Sequence, residues 1–293
     1  MAASQSRTVA SRIRRRVLSL FATLVVGYVA FLIVALVAQE RFIYPGAWML
    51  EAPPAPGDRP ALTVLKRDLG DMGSVEAFLV IPEGAERPAP LVVMFHGNAE
   101  LIDDCLGEAE ARAIEGFAVL LPEYRGYGRS GGKPGAKSIR EDAAVFLETA
   151  LQDPRIDADR VAFIGRSLGG AVAADLAAIH PPRAIVLEST FVRLSSMFAR
   201  AGLPSFVVRH PYDSVRALER FSGHMMIVHG DDDGVIPPSH GRALRDRFPQ
   251  ARYFEPRAGH YPSIEWIGYD AELRRFLSES GVTAQPTRST RSD

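Results

Sequence analysis

One serine of the sequence stands in a setting that can make its hydroxyl a nucleophile. Residues 161–165 have the apolar composition of a buried strand, Ser167 is the centre of a Gly-x-Ser-x-Gly pattern, and an alanine-rich helix is predicted directly after it. A serine on a tight turn between strand and helix projects its oxygen from the sheet edge, and the two glycines give both elements room to approach. The helix N-terminus directs partial positive charge towards an oxyanion. The spacing therefore predicts nucleophilic catalysis by Ser167.

The Gly-x-Ser-x-Gly pattern occurs a second time, around Ser130, in a loop that also contains a Gly-x-Gly-x-x-Gly sequence over residues 126–131. A nucleophilic serine and a dinucleotide-binding glycine loop both require a helix that begins at the loop. Residues 132–135, Gly-Lys-Pro-Gly, exclude such a helix, and the next helix is predicted only from about Ser138. We therefore expect no cofactor at this loop and interpret it as a flexible segment near the active face.

A catalytic serine needs a base, and the base needs an acid that orients it. His260 lies in a loop after the last predicted strand, which is where such a base can reach the serine. In contrast, His180 and His240 stand at the ends of predicted helices and His229 ends a strand, positions typical of capping or packing residues. His260 is therefore the candidate base.

The candidate acid lies on the loop that follows the predicted strand 225–229. Asp231, Asp232 and Asp233 stand there in succession, and an acid on this loop can reach a histidine on the loop after the next strand. Three adjacent carboxylates also have the chemistry of metal ligands, but no spaced set of further oxygen ligands accompanies them. Turn chemistry explains the run without a metal. The residues alone leave the choice among the three aspartates open.

The apolar runs predict an α/β fold with a mostly parallel, eight-stranded sheet covered by helices on both faces. Several runs are apolar at every position, as in strands that helices cover on each side. The first two strands are followed by no helix, so we expect them to pair antiparallel. Predicted strands cover residues 62–69, 74–81, 90–95, 117–121, 161–165, 184–188, 225–229 and 252–255, and predicted helices cover 100–115, 138–151, 168–179, 213–220, 239–247 and 270–279.

Charge divides the chain into two parts that its formal net charge of −1 conceals. Residues 1–38 contain five arginines and no acidic residue, whereas the other 29 basic residues are outnumbered by the 35 acidic ones. A composition with 47% hydrophobic residues and one cysteine, Cys105, excludes a disordered chain and a disulfide scaffold. The acidic remainder argues against a nucleic-acid-binding protein.

Residues 17–38 form an uncharged run that predicts a transmembrane anchor. As a helix the run is about 33 Å long, enough for a hydrocarbon core of about 30 Å, whereas the alternative, a cleavable signal peptide, usually has a core of about 7–15 residues. Basic residues precede the run, so we expect residues 1–16 to be a cytoplasmic arm of a single-pass membrane protein whose domain lies on the non-cytoplasmic side. We interpret 39–60 as a linker, 61–279 as the catalytic domain and 280–293 as a disordered tail.

With these features the chain resembles the α/β-hydrolase superfamily over about residues 60–279. Within it, the chain is similar to membrane-anchored serine hydrolases that include protein depalmitoylases and lysophospholipid lipases. The resemblance rests on Phe42-Ile43-Tyr44-Pro45, His96-Gly97-Asn98, Tyr124-Arg125-Gly126-Tyr127-Gly128, the Ser167 turn, Leu187-Glu188-Ser189-Thr190 and the loop around Asp233.

The resemblance implies a role for each candidate residue. Ser167 is implied as the nucleophile, His260 as the general base and acid, and Asp233 as the acid that orients the histidine, in the chain order of this family. Asp233 is preferred because it fits the family spacing Gly-x-x-Asp-x-x-Ile. Asp231 and Glu188 remain the alternative acids.

The resemblance also implies the reaction. The backbone N–H groups of Leu168 and Asn98 are implied as the oxyanion hole, and the activity as hydrolysis of carboxylic esters or thioesters through an acyl-enzyme, on lipid or acylated substrates. A serine peptidase of the same fold and a non-catalytic, membrane-tethered binding protein are the alternatives. The apolar stretch 191–212 is predicted as a small lid, with a packed cap helix as the alternative. No cofactor, metal or nucleic acid is expected, and the oligomeric state is left open.

Overall fold

The centre of the protein is one eight-stranded sheet, built from the apolar runs of the sequence. The computed structural model describes residues 2–57, 59, 61–84 and 87–284. Neighbouring strands lie in the order β1-β2-β4-β3-β5-β6-β7-β8. The strands are β1 Leu62–Asp68, β2 Ser74–Val80, β3 Ala89–Phe95, β4 Ala118–Pro122, β5 Ile156–Arg166, β6 Ala184–Glu188, β7 His224–Val228 and β8 Arg252–Phe254.

The sheet is parallel apart from its first two strands. β1 pairs antiparallel with β2, and β2 pairs antiparallel with β4, whereas the pairings β4–β3, β3–β5, β5–β6, β6–β7 and β7–β8 are parallel. The predicted mostly parallel sheet with an antiparallel start is therefore confirmed. Because the carboxyl ends of the parallel strands meet at one edge, the loops after β3, β5, β7 and β8 are brought together there.

Helices cover both faces of this sheet, as the strands with apolar residues on both sides predicted. They are α1 Ala2–Ile43, α2 Gly46–Met49, α3 Ile102–Ile114, α4 Ala136–Leu151, α5 Leu168–Ala177, α6 Leu194–Ala199, α7 Ser214–Ala217, α8 Ser239–Arg247, α9 Pro262–Glu265 and α10 Tyr269–Glu279. One face packs on α4, α5 and α8 through side chains such as Phe146, Leu176 and Leu244. The other face packs on α3 and α10, for example through Ile102 and Phe276.

The first helix, α1, is long and apolar enough to cross a membrane. The stretch Arg14–Ile43 reaches a mean hydropathy of 2.7, and none of its most apolar part is buried within the protein. A membrane anchor and a signal sequence both have this composition. The α/β-layered domain with one candidate transmembrane helix therefore agrees with the predicted fold class.

The segment 39–60, predicted to be a linker, is in part packed structure. The helix α1 continues through Ile43, and α2 follows after two residues. Gln39, Ile43, Tyr44 and Gly46 are buried. Residues four apart lie on one face of a helix, so Gln39 and Ile43 together turn towards the domain. The proline-rich stretch that suggested a linker begins only after α2.

The segment 191–212, predicted to be a lid, is packed at its ends and exposed in its middle. Phe191, Leu194 and Tyr212 are buried, whereas Phe206 is 82% exposed. The segment contains α6 and a short 3-10 turn, Ser205–Val207. Its ends therefore belong to the core, and its middle presents an apolar side chain outward.

The packed domain extends beyond residue 279, where the sequence placed the start of a disordered tail. Ser280 and Val282 are buried, and Val282 joins the core beneath α10. An apolar side chain that packs on the last helix keeps this stretch on the domain. Residues 285–293 of the predicted tail lie outside the described residues.

Candidate active site

Ser167 occupies the turn between β5 and α5. Its backbone has φ 55° and ψ −120°, in a region that residues other than glycine seldom adopt. The backbone N–H of Ser167 donates to the carbonyl oxygen of Glu188 (2.8 Å), and its carbonyl oxygen accepts a hydrogen bond from the hydroxyl of Thr190 (2.7 Å). These bonds from the end of β6 hold the strained turn. The side chain consequently stands at the carboxyl edge of the sheet.

The glycines around Ser167 are required by close packing. A Cβ atom at Gly165 would overlap the carbonyl group of Gly169, and one at Gly169 would overlap the carbonyl group of Phe95 at the end of β3. A larger residue at either position would push the strand and the helix apart. The two glycines of the sequence pattern therefore have the steric role that the sequence predicted.

His260 and Asp233 come from separate loops and meet in a hydrogen bond. His260 Nδ1 lies 2.7 Å from Asp233 Oδ2. Asp233 follows β7 and His260 follows β8, and these two strands are parallel neighbours that end at the same edge. A carboxylate that accepts the Nδ1 proton leaves the Nε2 of the histidine available to take another. The pair has the arrangement of a base and its orienting acid.

Hydrogen bonds keep the Asp233 carboxyl ionised. Its Oδ1 accepts the backbone N–H groups of Val235 (2.8 Å) and Ile236 (2.9 Å). His229 Nε2, which lies 2.8 Å from the carbonyl oxygen of Ile236, is also 3.4 Å from Oδ2. Burial alone would raise the pKa of Asp233, but the hydrogen bonds from His229, His260 and Ile236 outweigh burial and hold the pKa well below its usual range. Asp233 therefore presents a fixed negative charge to His260.

The alternative acids contact other groups. Asp231 is exposed, and its Oδ1 accepts the backbone N–H of Ala258 (3.3 Å). Glu188 is buried, but its Oε1 accepts the backbone N–H of Ser263 (3.0 Å). Of these carboxylates, Asp233 is the one that contacts the candidate base.

The loop that carries His260 lies over the end of β5. In this loop the N–H of Ser263 bonds to Glu188, and the ring of Tyr261 lies 5.8 Å from the guanidinium carbon of Arg166. These contacts bring His260 to the sheet edge that carries Ser167. The hydrogen bonds of the described residues include none between Ser167 Oγ and His260 Nε2. Such contacts are often long before substrate binds and tighten in the complex.

Two backbone N–H groups beside Ser167 have no acceptor within the described part of the chain. Leu168 is the first residue of α5, so its N–H has no partner in the helix. Asn98 follows Gly97, where a Cβ atom would lie 3.8 Å from the Cβ of Ser167. These are the two groups that the family resemblance implies as the oxyanion hole, and both remain available to a ligand.

The backbone of Asn98 is held by the end of the N-terminal helix, a contact that the sequence analysis missed. Its carbonyl oxygen accepts the N–H of Gly46 (3.0 Å) and the hydroxyl of Tyr127 (3.0 Å), and its Nδ2 donates to the carbonyl oxygen of Ile43 (3.3 Å). A Cβ atom at Gly46 would overlap the Tyr127 ring. The motif 42–45 was the sequence signal for this contact. It was one of the motifs behind the family resemblance, but we had assigned residues 39–60 to a linker.

Arg166, the residue before the serine, connects loops on both sides of the site and was also missed. Its Nη1 lies 3.0 Å from Glu100 Oε1, its Nη2 lies 3.2 Å from Glu108 Oε2, and its Nε lies 3.5 Å from Glu188 Oε1. Glu100 also accepts the N–H of Gly97, beside the candidate oxyanion hole. Because Glu188 holds the histidine loop, Arg166 ties that loop to the oxyanion loop. Its signal in the sequence was a lone charge at the end of an apolar strand.

The glycine-rich loop that repeats the serine pattern is packed, and the prediction of a flexible segment is wrong. Tyr124 and Tyr127 are fully buried. The hydroxyl of Ser130 accepts the backbone N–H of Glu76 from β2 (3.1 Å). Aromatic side chains fix this loop in the core, and Ser130 serves a structural hydrogen bond.

Comparisons with known proteins identify the family. A model of the family described as serine aminopeptidase, S33, matches residues 86–212. An uncharacterised Mycobacterium tuberculosis protein is 30% identical over 221 residues, which cover 70% of this chain and 75% of the relative. Protein bem46 of Schizosaccharomyces pombe is 25% identical over 228 residues, or 72% of this chain and 75% of the relative. An esterase of Pyrococcus furiosus has the same fold, with a TM-score of 0.59 and 17% identity over 79% of this chain and 98% of the esterase. The chain belongs to the α/β-hydrolase family.

Proposed function

We propose that the protein is a membrane-anchored serine hydrolase that cleaves carboxylic esters or thioesters of lipid or acylated substrates. The observation that carries the proposal is the 2.7 Å hydrogen bond between His260 and Asp233, at the same sheet edge as the strained turn of Ser167. A serine, a histidine and a buried acid on neighbouring loops form the constellation of nucleophilic acyl transfer.

Acylation begins when the hydroxyl oxygen of Ser167 attacks the carbonyl carbon and its proton passes to His260 Nε2. The carboxylate of Asp233 stabilises the imidazolium that forms. The N–H groups of Leu168 and Asn98 donate to the oxyanion of the tetrahedral intermediate. The bond to the alcohol or thiol then breaks, the leaving group takes the proton from His260, and the acyl group remains on Ser167.

Deacylation repeats these steps with water. A water molecule gives a proton to His260 and attacks the acyl carbonyl carbon, and the same two N–H groups stabilise the second oxyanion. Ser167 leaves with the proton from His260. The products are the free acid and the original enzyme.

The junction between the site and α1 supports a substrate that is presented at a membrane. Asn98 contacts Ile43 and Gly46, which lie just beyond the apolar run of α1. An enzyme tethered at this point meets membrane-bound esters at a high effective concentration. Lipid esters and acylated proteins are therefore the substrate class that we favour.

We also propose that α1 is an uncleaved, single-pass anchor with a cytoplasmic N-terminus. The five arginines precede the apolar run, which favours this orientation. The hydrogen bond from Tyr28 to the carbonyl oxygen of Gly202 supports retention of the helix, since cleavage near Ala38 would remove Tyr28 from the domain. An alkaline phosphatase fused after residue 60 tests the orientation in a bacterial host. An active fusion supports the proposal, and an inactive one reverses the orientation.

A serine peptidase is the second candidate, because the matching family model carries the description serine aminopeptidase. The full chain in detergent is assayed with p-nitrophenyl esters of increasing acyl length, acyl thioesters and aminoacyl p-nitroanilides. We expect the esters and thioesters to be cleaved at least about a hundredfold faster than the amides, with long chains preferred, and Ser167→Ala to abolish cleavage. Preference for the amides would identify a peptidase. Cleavage of none by the folded chain would support a binding protein.

A further inference from the structure

The middle of the 191–212 segment lies alongside the part of α1 that the sequence assigns to the bilayer. The hydroxyl of Tyr28 donates to the carbonyl oxygen of Gly202 (3.0 Å), and Gln39 Nε2 donates to the carbonyl oxygen of Val207 (3.1 Å). Gln39 Oε1 also accepts the backbone N–H of Arg209 (2.8 Å). Tyr28 and Gln39 are eleven residues apart, so the segment follows the helix over about 16 Å.

This contact reaches deep into the predicted span. The uncharged run of α1 ends at Ala38, and Tyr28 precedes that residue by ten positions. At 1.5 Å per residue, the bond between Tyr28 and Gly202 lies about 15 Å from the end of the run, which is about half the thickness of the hydrocarbon core. A segment that follows the helix to this depth lies within the leaflet next to the domain.

The composition of the segment fits a hydrocarbon environment. Residues 201–208, Ala-Gly-Leu-Pro-Ser-Phe-Val-Val, carry no charge and are flanked by Arg200 and Arg209. Phe206 is 82% exposed, which is unfavourable in water and favourable in lipid. Arginines beside an apolar segment extend their charged ends out of the hydrocarbon region.

Much of the backbone of the segment is hydrogen-bonded within the protein, whereas the N–H groups of Ser205 and Phe206 have no acceptor in the described part of the chain. Irregular backbone is tolerated at membrane depth when protein groups satisfy it. The N–H groups of Ala201, Gly202 and Leu203 donate to carbonyl oxygens of α6, and those of Val207 and Val208 donate within the 3-10 turn. The carbonyl groups of Gly202 and Val207 accept from α1. Tyr28 and Gln39 are polar residues of an otherwise apolar helix, and each of them has a hydrogen-bond partner in this segment.

We propose that residues 201–208 insert into the leaflet adjoining the domain and, together with α1, hold the candidate site at the membrane surface. The proposal rests on the proposed anchor. Ile43, whose carbonyl oxygen meets the Asn98 side chain, lies only five residues beyond Ala38, or about 8 Å of helix. The oxyanion hole therefore lies close to the headgroups, and an ester reaches Ser167 from the lipid side of the domain.

The test is a spin-label accessibility measurement on the full chain in phosphatidylcholine vesicles. Nitroxides are attached to Phe206→Cys, to Val26→Cys in the span, and to Ile114→Cys at the opposite edge of the domain. Val26 is 68% and Ile114 is 72% exposed, so all three accept a label. Cys105 is buried, and burial raises the pKa of its thiol, so the unmodified chain serves as the blank.

We expect the labels at positions 206 and 26 to collide with lipid-soluble oxygen and the label at 114 to collide with a water-soluble nickel complex. If position 26 reports lipid while 206 reports water, the anchor stands and the inserted segment is disproved. If position 26 reports water as well, the proposed anchor fails and the inference fails with it. A label at 206 shielded from both reagents would show a protein partner and would also overturn the proposal.

A second measurement examines the consequence for substrate delivery. Phe206→Asp is expected to lower hydrolysis of a long-chain ester in vesicles by about tenfold or more, because a carboxylate is costly in the hydrocarbon core. Hydrolysis of a water-soluble acetate ester stays unchanged, and Ile114→Asp changes neither rate. Equal loss on both substrates contradicts the proposed delivery from lipid. Absence of all hydrolysis in the unmodified chain rejects the proposed function, while the spin labels still decide the insertion.

Discussion

The backbone N–H of Gly46 donates a 3.0 Å hydrogen bond to the carbonyl oxygen of Asn98. Asn98 is the residue whose own N–H is proposed to bind the oxyanion, and Gly46 begins the short helix that follows the candidate anchor. The bond therefore joins the candidate membrane anchor to the loop that is proposed to stabilise the oxyanion. A change at the junction is expected to alter catalysis without touching the triad.

Gly46→Ala tests this junction. The new Cβ atom would overlap the Tyr127 ring and lie 3.0 Å from the carbonyl oxygen of Asn98, so the oxyanion loop must shift. A displacement of about 1 Å at a catalytic group lowers kcat by about ten- to a hundredfold. Steady-state kinetics on a short-chain ester measure the effect. Gly27→Ala, where a Cβ atom meets nothing within 4 Å, is the matched control and leaves kcat unchanged.

Asp233→Asn tests the orienting acid. The amide cannot hold His260 in the required tautomer with a negative charge, so kcat is expected to fall by about a thousand- to ten-thousandfold while the fold is retained. Circular dichroism checks the fold, and ester hydrolysis checks the rate. Asp231→Asn, in the same loop, serves as the control. If Asp231→Asn causes the large loss and Asp233→Asn does not, the role moves to Asp231.

The lowered pKa of Asp233 also predicts how stability depends on pH. The folded state holds this carboxyl ionised below its ordinary pKa, so the ionised form contributes stability above the unfolded pKa of about 3.9. That contribution is lost as the pH falls through the folded pKa. The difference in free energy of unfolding between the native chain and Asp233→Asn should therefore be constant above about pH 5 and shrink below about pH 4. Denaturant titrations in detergent measure it, and a gap that widens in acid would refute the assignment.

Arg166→Met tests the residue that ties the oxyanion loop to the histidine loop. We expect kcat to fall by about ten- to a hundredfold with little change in KM, because both loops lose a shared partner. The control is Glu108→Gln. Glu108 lies on α3 and contacts Arg166, but it belongs to neither the oxyanion loop nor the histidine loop. A merely structural role would lower the stability of both variants and leave kcat the same in each. Kinetics are measured at a temperature at which both remain folded.

The strands were predictable because a sheet that helices cover on both faces needs apolar strands, and the sequence contains eight runs of this kind. The strand β5 nevertheless begins at Ile156, earlier than the predicted residue 161, because Asp157, Asp159 and Arg160 interrupt the apolar pattern there. The short helices α6 and α9 contain too few residues to show a helical period. The local pattern of apolar residues therefore predicted the long helices but not these short ones.

The contacts of the site depend on residues far apart in the sequence. The family spacing singled out Asp233, whereas the link from Gly46 to Asn98 and the bridge through Arg166 join segments with no common motif. Gln39 and Ile43 share one face of α1, and this spacing was the available signal that the helix packs on the domain. We overlooked this signal because the predicted transmembrane run ends at Ala38, so residues from Gln39 onwards were assigned to a linker.

Covalent labelling with a fluorophosphonate tests most directly the central claim, that Ser167 is the activated nucleophile. The full chain in detergent is treated with the probe, and mass spectrometry locates the adduct. We predict one adduct on the peptide that contains Ser167, its complete loss in Ser167→Ala, and its retention in Ser130→Ala, the other serine of the same sequence pattern. An adduct that persists in Ser167→Ala, or a folded native chain that takes no label, would contradict the account.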